Sequence, residues 1–298
     1  MKSNHNLSDE FLNSGYRKYF DLAYGNLSED QKLDLWLPDT PVSGPYPVIL
    51  FFHGGAFERG HKREDQSEPA LRLLEYGYAI ADVEYRKSRE AIFPAMLYDA
   101  KDAIRFLRAH AEQYDLDPSR IAAWGASAGG WIVSMLGTTG NQADFLDENR
   151  MFPEQSDAVQ AVVDWCGPCG NFIFMDSDFE PVVVSVEEHT SVDSAEGRFM
   201  GHSLTDISDL CRFAAPITHV HADMPPVLIV HGVPDPVVPV KQSWRFWQEI
   251  VRVAGEDRVE YHALDGVPHH SKHWNNDAAI ASITLEFLER RLKNMPSD

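Results

Sequence analysis

A mostly parallel sheet with helices on both faces is the fold class predicted by this 298-residue chain, and three observations carry it. Several short apolar runs have the length and continuity of strands covered on both sides. Helical segments with apolar stripes separate them. A G-x-S-x-G string lies between one such strand and one such helix, the strand–turn–helix context that gives the string chemical meaning.

In chain order, the first twenty or so residues are polar and are expected to drape over the surface. "KYFDLAYG" and "KLDLWLPD" read as two strands; Leu33, Leu35 and Leu37 alternate with their neighbours until Pro38 stops the run. "PVILFFHGG", "YAIADVEYR", "RIAAWGAS", "AVQAVVDW" and "PPVLIVHG" are the buried-strand runs. Between them, residues 95–114 place Leu97, Ala100, Ile104, Leu107 and Ala111 at spacings of three and four, which predicts one continuous amphipathic helix. A second helix over 240–255 ends on Gly255. The last, over 275–294, begins with an Asn cap and ends on basic residues that suit a helix C-terminus. From 168 to 224 the rhythm breaks into a long, irregular, acidic stretch, expected as an insertion over the sheet edge where sites form.

The chemistry concentrates in "AAWGASAGGW". Gly125 and Gly129 allow a sharp turn, which holds Ser127 with its hydroxyl exposed while the Ala128 N–H points to the same spot. "FFHGGAF" resembles the glycine loops that supply further oxyanion donors, so Gly54 and Gly55 are expected to join Ala128 in an oxyanion hole. His53 is expected to anchor that loop. A serine nucleophile needs a base, and the base needs an orienting carboxylate. Asp235, just past a buried strand, fits the acid. His269 is the expected base, because Gly266-Val267-Pro268-His269 follows the last strand at G-x-x-H spacing, with His270 as the alternative. No metal is expected at the cluster of His269, His270 and His273, because no thiolate or carboxylate stands at ligand spacing in the sequence. Trp131, Phe172, Phe174, Phe199 and His202 are candidate substrate-wall residues, though core is the default for such aromatics.

The totals limit the partners. A formal net charge of −20 repels phosphate backbones and anionic membrane surfaces. No apolar run reaches the ~20 residues of a membrane span. No secretory h-region is visible, and three cysteines make no disulfide framework. The expectation is a cytoplasmic protein without nucleic-acid or membrane partners, acting on a small molecule and compatible with a homodimer.

Taken together, "YGNLSEDQKLDLWLPD", His53-Gly54-Gly55, residues 85–130, "AAPITHV" and "PPVLIVHGVPDPVVP" resemble carboxylesterases related to the hormone-sensitive-lipase-like esterases. The resemblance is closer to the family of bifunctional acetylxylan deacetylases and feruloyl esterases. It spans residues 16 to about 290. It implies the α/β-hydrolase fold: one domain over 1–298, a mostly parallel central sheet of about eight strands, and a short cap over 168–224. It also implies hydrolysis of carboxylic esters through an acyl-enzyme, without a cofactor. Two positions depart from the pattern. Ala126 replaces an aspartate common in the lipase-like branch, and Ala56-Phe57 replaces a small-aromatic pair, so the pocket wall differs.

Two other readings stay open: amide cleavage of the arylformamidase or small serine peptidase type, and a non-catalytic binding protein of the same fold. The string "DWCGPCG" holds the Cys-Gly-Pro-Cys of thioredoxins. Gly170 and Asn171 follow it and break any helix start, so it is expected to be a turn containing two cysteines.

Overall fold

The computed structural model describes residues 6–39, 44–186, 188–269 and 273–293, apart from the side chain of His273. Eight strands form one sheet: β1 (Arg17–Ala23), β2 (Lys32–Leu37), β3 (Tyr46–Phe52), β4 (Ala79–Val83), β5 (Leu116–Ala126), β6 (Ala161–Trp165), β7 (Val227–Gly232) and β8 (Val259–Leu264). Their order is β1-β2-β4-β3-β5-β6-β7-β8. The pairs β1–β2 and β2–β4 are antiparallel, and all others are parallel. This is the α/β-hydrolase fold, with the sheet as expected.

The apolar runs are continuous because both faces are covered. Along β3, Val48, Leu50 and Phe52 enter one core layer, while Ile49 and Phe51 enter the other. The first layer is covered by α1 (Ala95–Ala109), α2 (Ala128–Thr139) and α3 (Val240–Ala254). The second is covered by the helical turns over 65–76 and by α4 (Ala278–Leu288). All five residues of the expected stripe over 97–111 are buried.

Three local expectations are corrected. The helix over 95–114 breaks at His110, which leaves helical backbone at φ −109° and ψ 18° while its ring Nδ1 meets the Phe106 carbonyl at 2.8 Å, and the short helix Ala111–Tyr114 follows. The last helix is capped by Asp277, whose carboxylate accepts from Ala279 N at 2.8 Å; Asn275 instead donates to the Asp65 carbonyl. The N-terminal segment does more than drape: Leu7 and Phe11 are buried in the second layer, and Leu7 N donates to the Arg63 carbonyl at 2.8 Å.

Between β6 and β7, residues 168–224 form only short helical turns, among them Phe172–Phe174, Ala195–Met200 and Ser208–Phe213. They pack against the loop after β3, where Phe199 stacks on Phe57 with ring centroids 4.3 Å apart. No helix among the described residues is long and apolar enough to cross a membrane.

Candidate active site

Parallel strands present their carboxyl ends on one edge, and the loops there build sites. Here β3, β5, β6, β7 and β8 deliver, in turn, the glycine loop, Ser127, the Cys166 turn, Asp235 and His269.

Ser127 sits between β5 and α2 at φ 55° and ψ −118°, a backbone conformation that costs energy for a residue with a Cβ. The crossing is tight. A Cβ on Gly125 would lie 2.2 Å from the Gly129 carbonyl oxygen, and one on Gly129 would lie 1.9 Å from the Phe52 carbonyl oxygen. Only glycine fits at either position, so the end of β3 and the start of α2 touch through bare backbone. Ser127 N donates to the Trp165 carbonyl at 2.8 Å, which locks the elbow to β6.

The loop after β3 is strained as well, with φ of 136° at Gly55, 54° at Ala56 and 62° at Phe57. His53 is buried beneath it, with Nδ1 2.7 Å from the Gly54 carbonyl oxygen, Nε2 3.1 Å from Glu84 and its ring stacked on Tyr85. The Gly54 N–H donates to Gln66 Oε1 at 2.9 Å. The N–H groups of Gly55, Ala56 and Ala128 have no protein acceptor among the described residues. The Gly54 N–H, expected as an oxyanion donor, is thus already engaged, whereas that of Ala56, which was not expected, is open. Ala128 is also the first residue of α2, so its N–H lies at the positive end of the helix dipole.

Ser127 Oγ is 2.8 Å from His269 Nε2, and His269 Nδ1 is 2.6 Å from Asp235 Oδ2. The other carboxylate oxygen of Asp235 accepts from Val237 N at 2.8 Å and Val238 N at 2.9 Å. Burial alone would raise the Asp235 pKa, but the hydrogen bonds and charges of His231 and His269 hold it well below the usual carboxylate range. The expected serine, acid and base thus meet in one line. His270 lies outside the described residues.

Two neighbours escaped the sequence reading. His231, fully buried on β7, has Nε2 3.2 Å from Asp235 Oδ2 and 2.9 Å from the Val238 carbonyl oxygen; its Nδ1 meets Ser243 Oγ at 2.7 Å. A histidine directly after the apolar run Val227-Leu228-Ile229-Val230 was the available signal. Cys166, at φ 47° after β6, presents its thiol to the triad: its Sγ, one Asp235 oxygen and one His269 nitrogen lie within 4.8 Å of one another.

The string around Cys166 is a turn, with Gly167 N bonded to Asp164 Oδ1 at 2.9 Å, and the short helical turns after it begin only at Phe172, over Phe172–Phe174 and Met175–Asp178. Cys166 and Cys169 are both free and buried. Burial, then the nearby carboxylates, push both thiols well above their usual range. This is the opposite of a thioredoxin nucleophile, which needs a depressed pKa.

The candidate wall residues divide. Trp131, Phe172 and Phe199 are fully buried and interlock with Phe57 and Phe93, while Trp131 Nε1 donates to the Ala214 carbonyl at 2.9 Å. Their large apolar areas are satisfied against one another, so they brace the glycine loop from behind and form no open wall. Phe174 is half exposed and His202 is exposed.

The wider resemblance agrees with this geometry. The chain is 32% identical over 249 residues to the probable carboxylic ester hydrolase LipM of Mycobacterium tuberculosis, covering 82% of this chain and 55% of that protein. It is 31% identical to esterase LipC of the same organism, covering 80% of this chain and 56% of that protein. The chain thus spans about half the length of the curated relatives it matches. Among solved structures, the bifunctional GH43-CE protein of Bacteroides eggerthii superposes with a TM-score of 0.79 at 27% identity, over 92% of this chain and 35% of that one. A truncated carbohydrate esterase from gut microbiota shares the fold with a TM-score of 0.81 at 24% identity, over 96% of this chain and 99% of that one. Residues 33–250 match the BD-FAE family model, and the chain belongs to that family.

Proposed function

We propose that the chain hydrolyses carboxylic esters through an acyl-enzyme formed on Ser127. The single observation that carries this is the aligned Ser127–His269–Asp235 relay, with contacts of 2.8 and 2.6 Å. Ser127 Oγ attacks the acyl carbon as His269 Nε2 takes its proton. The oxyanion of the tetrahedral intermediate faces the N–H groups of Gly55, Ala56 and Ala128, which cost no reorganisation when charge develops there. His269 then protonates the leaving alcohol, and the acyl-serine forms. A water, deprotonated by His269, releases the acid and restores Ser127. Asp235 holds the Nδ1–H of the imidazole throughout. No step calls on a cofactor.

The resemblance of the chain to a probable carboxylic ester hydrolase supports the reaction class. The acyl group is short, because Phe57, Trp131, Phe172 and Phe199 fill the space behind the glycine loop. The turns over 168–224 act as a cap on the same molecule. A net charge of −20 favours neutral esters over anionic ones.

The test is a panel of nitrophenyl esters of rising acyl length, run beside methyl ferulate, acetylated xylan and N-formylkynurenine. The expected result is turnover of esters, with kcat/KM falling as the acyl chain grows. Faster turnover of N-formylkynurenine than of any ester would replace this reading with amide hydrolysis.

A further inference from the structure

We propose that Cys166, Asp235 and His269 form an inhibitory binding site for a soft or borderline divalent cation of the zinc class. Distant in sequence, the three residues come together because β6, β7 and β8 end side by side. One donor atom from each lies within 4.8 Å of the other two. Thiolate, imidazole and carboxylate together are a zinc donor set, and the thiolate disfavours magnesium and calcium, which take oxygen ligands. Cys166 is held at φ 47°, so its backbone is constrained into the position that aims the thiol at the triad. All three ligands are buried, and Ser127, hydrogen-bonded to His269, is the partly exposed residue beside them.

Geometry explains why occupancy inhibits. His269 Nδ1 and Asp235 Oδ2 are 2.6 Å apart. Two ligands of a tetrahedral zinc ion, each bound at ~2.0–2.2 Å, stand about 3.3–3.6 Å apart. An ion bound by both side chains through these atoms needs the bare Nδ1 lone pair, so the ring proton moves to Nε2; the hydrogen bond that orients the imidazole opens and Nε2 no longer accepts from Ser127, whereas binding through Nε2 takes that accepting lone pair directly. On binding, the Cys166 thiol gives its proton to solvent and the sulfur coordinates as thiolate. The inhibitory part rests on the proposed triad; the binding part rests on the cluster alone.

The experiment titrates the full chain with cadmium, reading both the ultraviolet thiolate-to-cadmium absorption and the turnover of nitrophenyl acetate, with magnesium as control. The wild type should saturate at one equivalent with turnover falling in step, while magnesium does neither. Cys166→Ser and Cys166→Ala, each compared with its own metal-free rate, should lose the absorption and need more than about tenfold more cadmium for half inhibition. Absorption that persists in both variants, or that never appears in the wild type, overturns the site. Saturated absorption with unchanged turnover overturns its placement on His269. His269→Ala separates the two readings: retained turnover there overturns the triad, whereas unchanged cadmium affinity there overturns the ion site.

Discussion

Gly129→Ala tests whether backbone contact between β3 and α2 sets the oxyanion geometry. The new Cβ would lie 1.9 Å from the Phe52 carbonyl oxygen, about 1.5 Å short of the 3.4 Å at which ordinary contact begins. It would also sit 2.8 Å from the His53 carbonyl oxygen, so two consecutive peptides at the root of the glycine loop must retreat. That retreat carries Gly55 and Ala56 away from Ser127. Misplacement by ~1 Å costs about 10²-fold, and losing one oxyanion donor costs ~10²–10³-fold. The expected result is a fall in kcat of ~10²–10³ with a much smaller change in KM, because the lost interaction belongs to the transition state. Gly137→Ala is the control on the same helix; its Cβ presses on the Val162 Cγ2 methyl at 2.8 Å and meets Pro225 Cγ at an ordinary 3.7 Å, with no backbone in the way. It should lose stability by ~1–3 kcal/mol from overpacking while keeping kcat within a few-fold. The assay is steady-state hydrolysis of nitrophenyl acetate, with Tm measured by circular dichroism. A Gly129→Ala enzyme with wild-type kcat and wild-type Tm would refute the reasoning.

Two further outcomes follow from buried polar groups. His231→Phe keeps a ring in place but removes the contact with Asp235 Oδ2. A hydrogen bond to a charged group contributes ~1.5–3 kcal/mol, so kcat should fall about 10–100-fold with KM little changed; a loss of Tm at unchanged kcat would make His231 merely structural. Asp82 faces Asp34 across β2 and β4, and burial first, with Asp34 adding to it, raises its pKa to about 7. The folded state then holds a proton that the unfolded chain has already lost, so this group lowers stability as pH rises from about 4 to 7. Asp82→Asn still accepts from Arg63 N and lacks that slope. Its Tm relative to the wild type should therefore rise between pH 5 and pH 8, and a difference that stays flat across that range would contradict the assignment.

What the sequence made legible was whatever a run or a spacing encodes. The buried strands read as unbroken apolar runs because both faces of β3, β5, β6 and β7 are covered. Ser127, Asp235 and His269 were legible because each lies in the turn or loop just past a strand's carboxyl end, so the sheet itself brings them together. Illegible features were those decided by contacts between distant segments. Gly54 loses its expected part because Gln66, twelve residues on, takes its N–H. Trp131 and Phe172 are aromatic in sequence whether they line a pocket or pack beneath one, and their role depends on Phe57 and Phe199 arriving from elsewhere. Cys166 read as one of two cysteines in a turn, and only the neighbouring ends of β7 and β8 place it against the triad.

The proposed hydrolysis requires Ser127 Oγ to become acylated. The direct measurement is peptide mass spectrometry of the full chain after reaction with a fluorophosphonate, beside the turnover of Ser127→Ala. The expected result is one adduct, on the peptide carrying Ser127, with complete loss of hydrolysis, and no adduct on Ser127→Ala, whose turnover drops by several orders of magnitude. An adduct on another residue, or a Ser127→Ala enzyme that still hydrolyses esters at near wild-type rate, would contradict it.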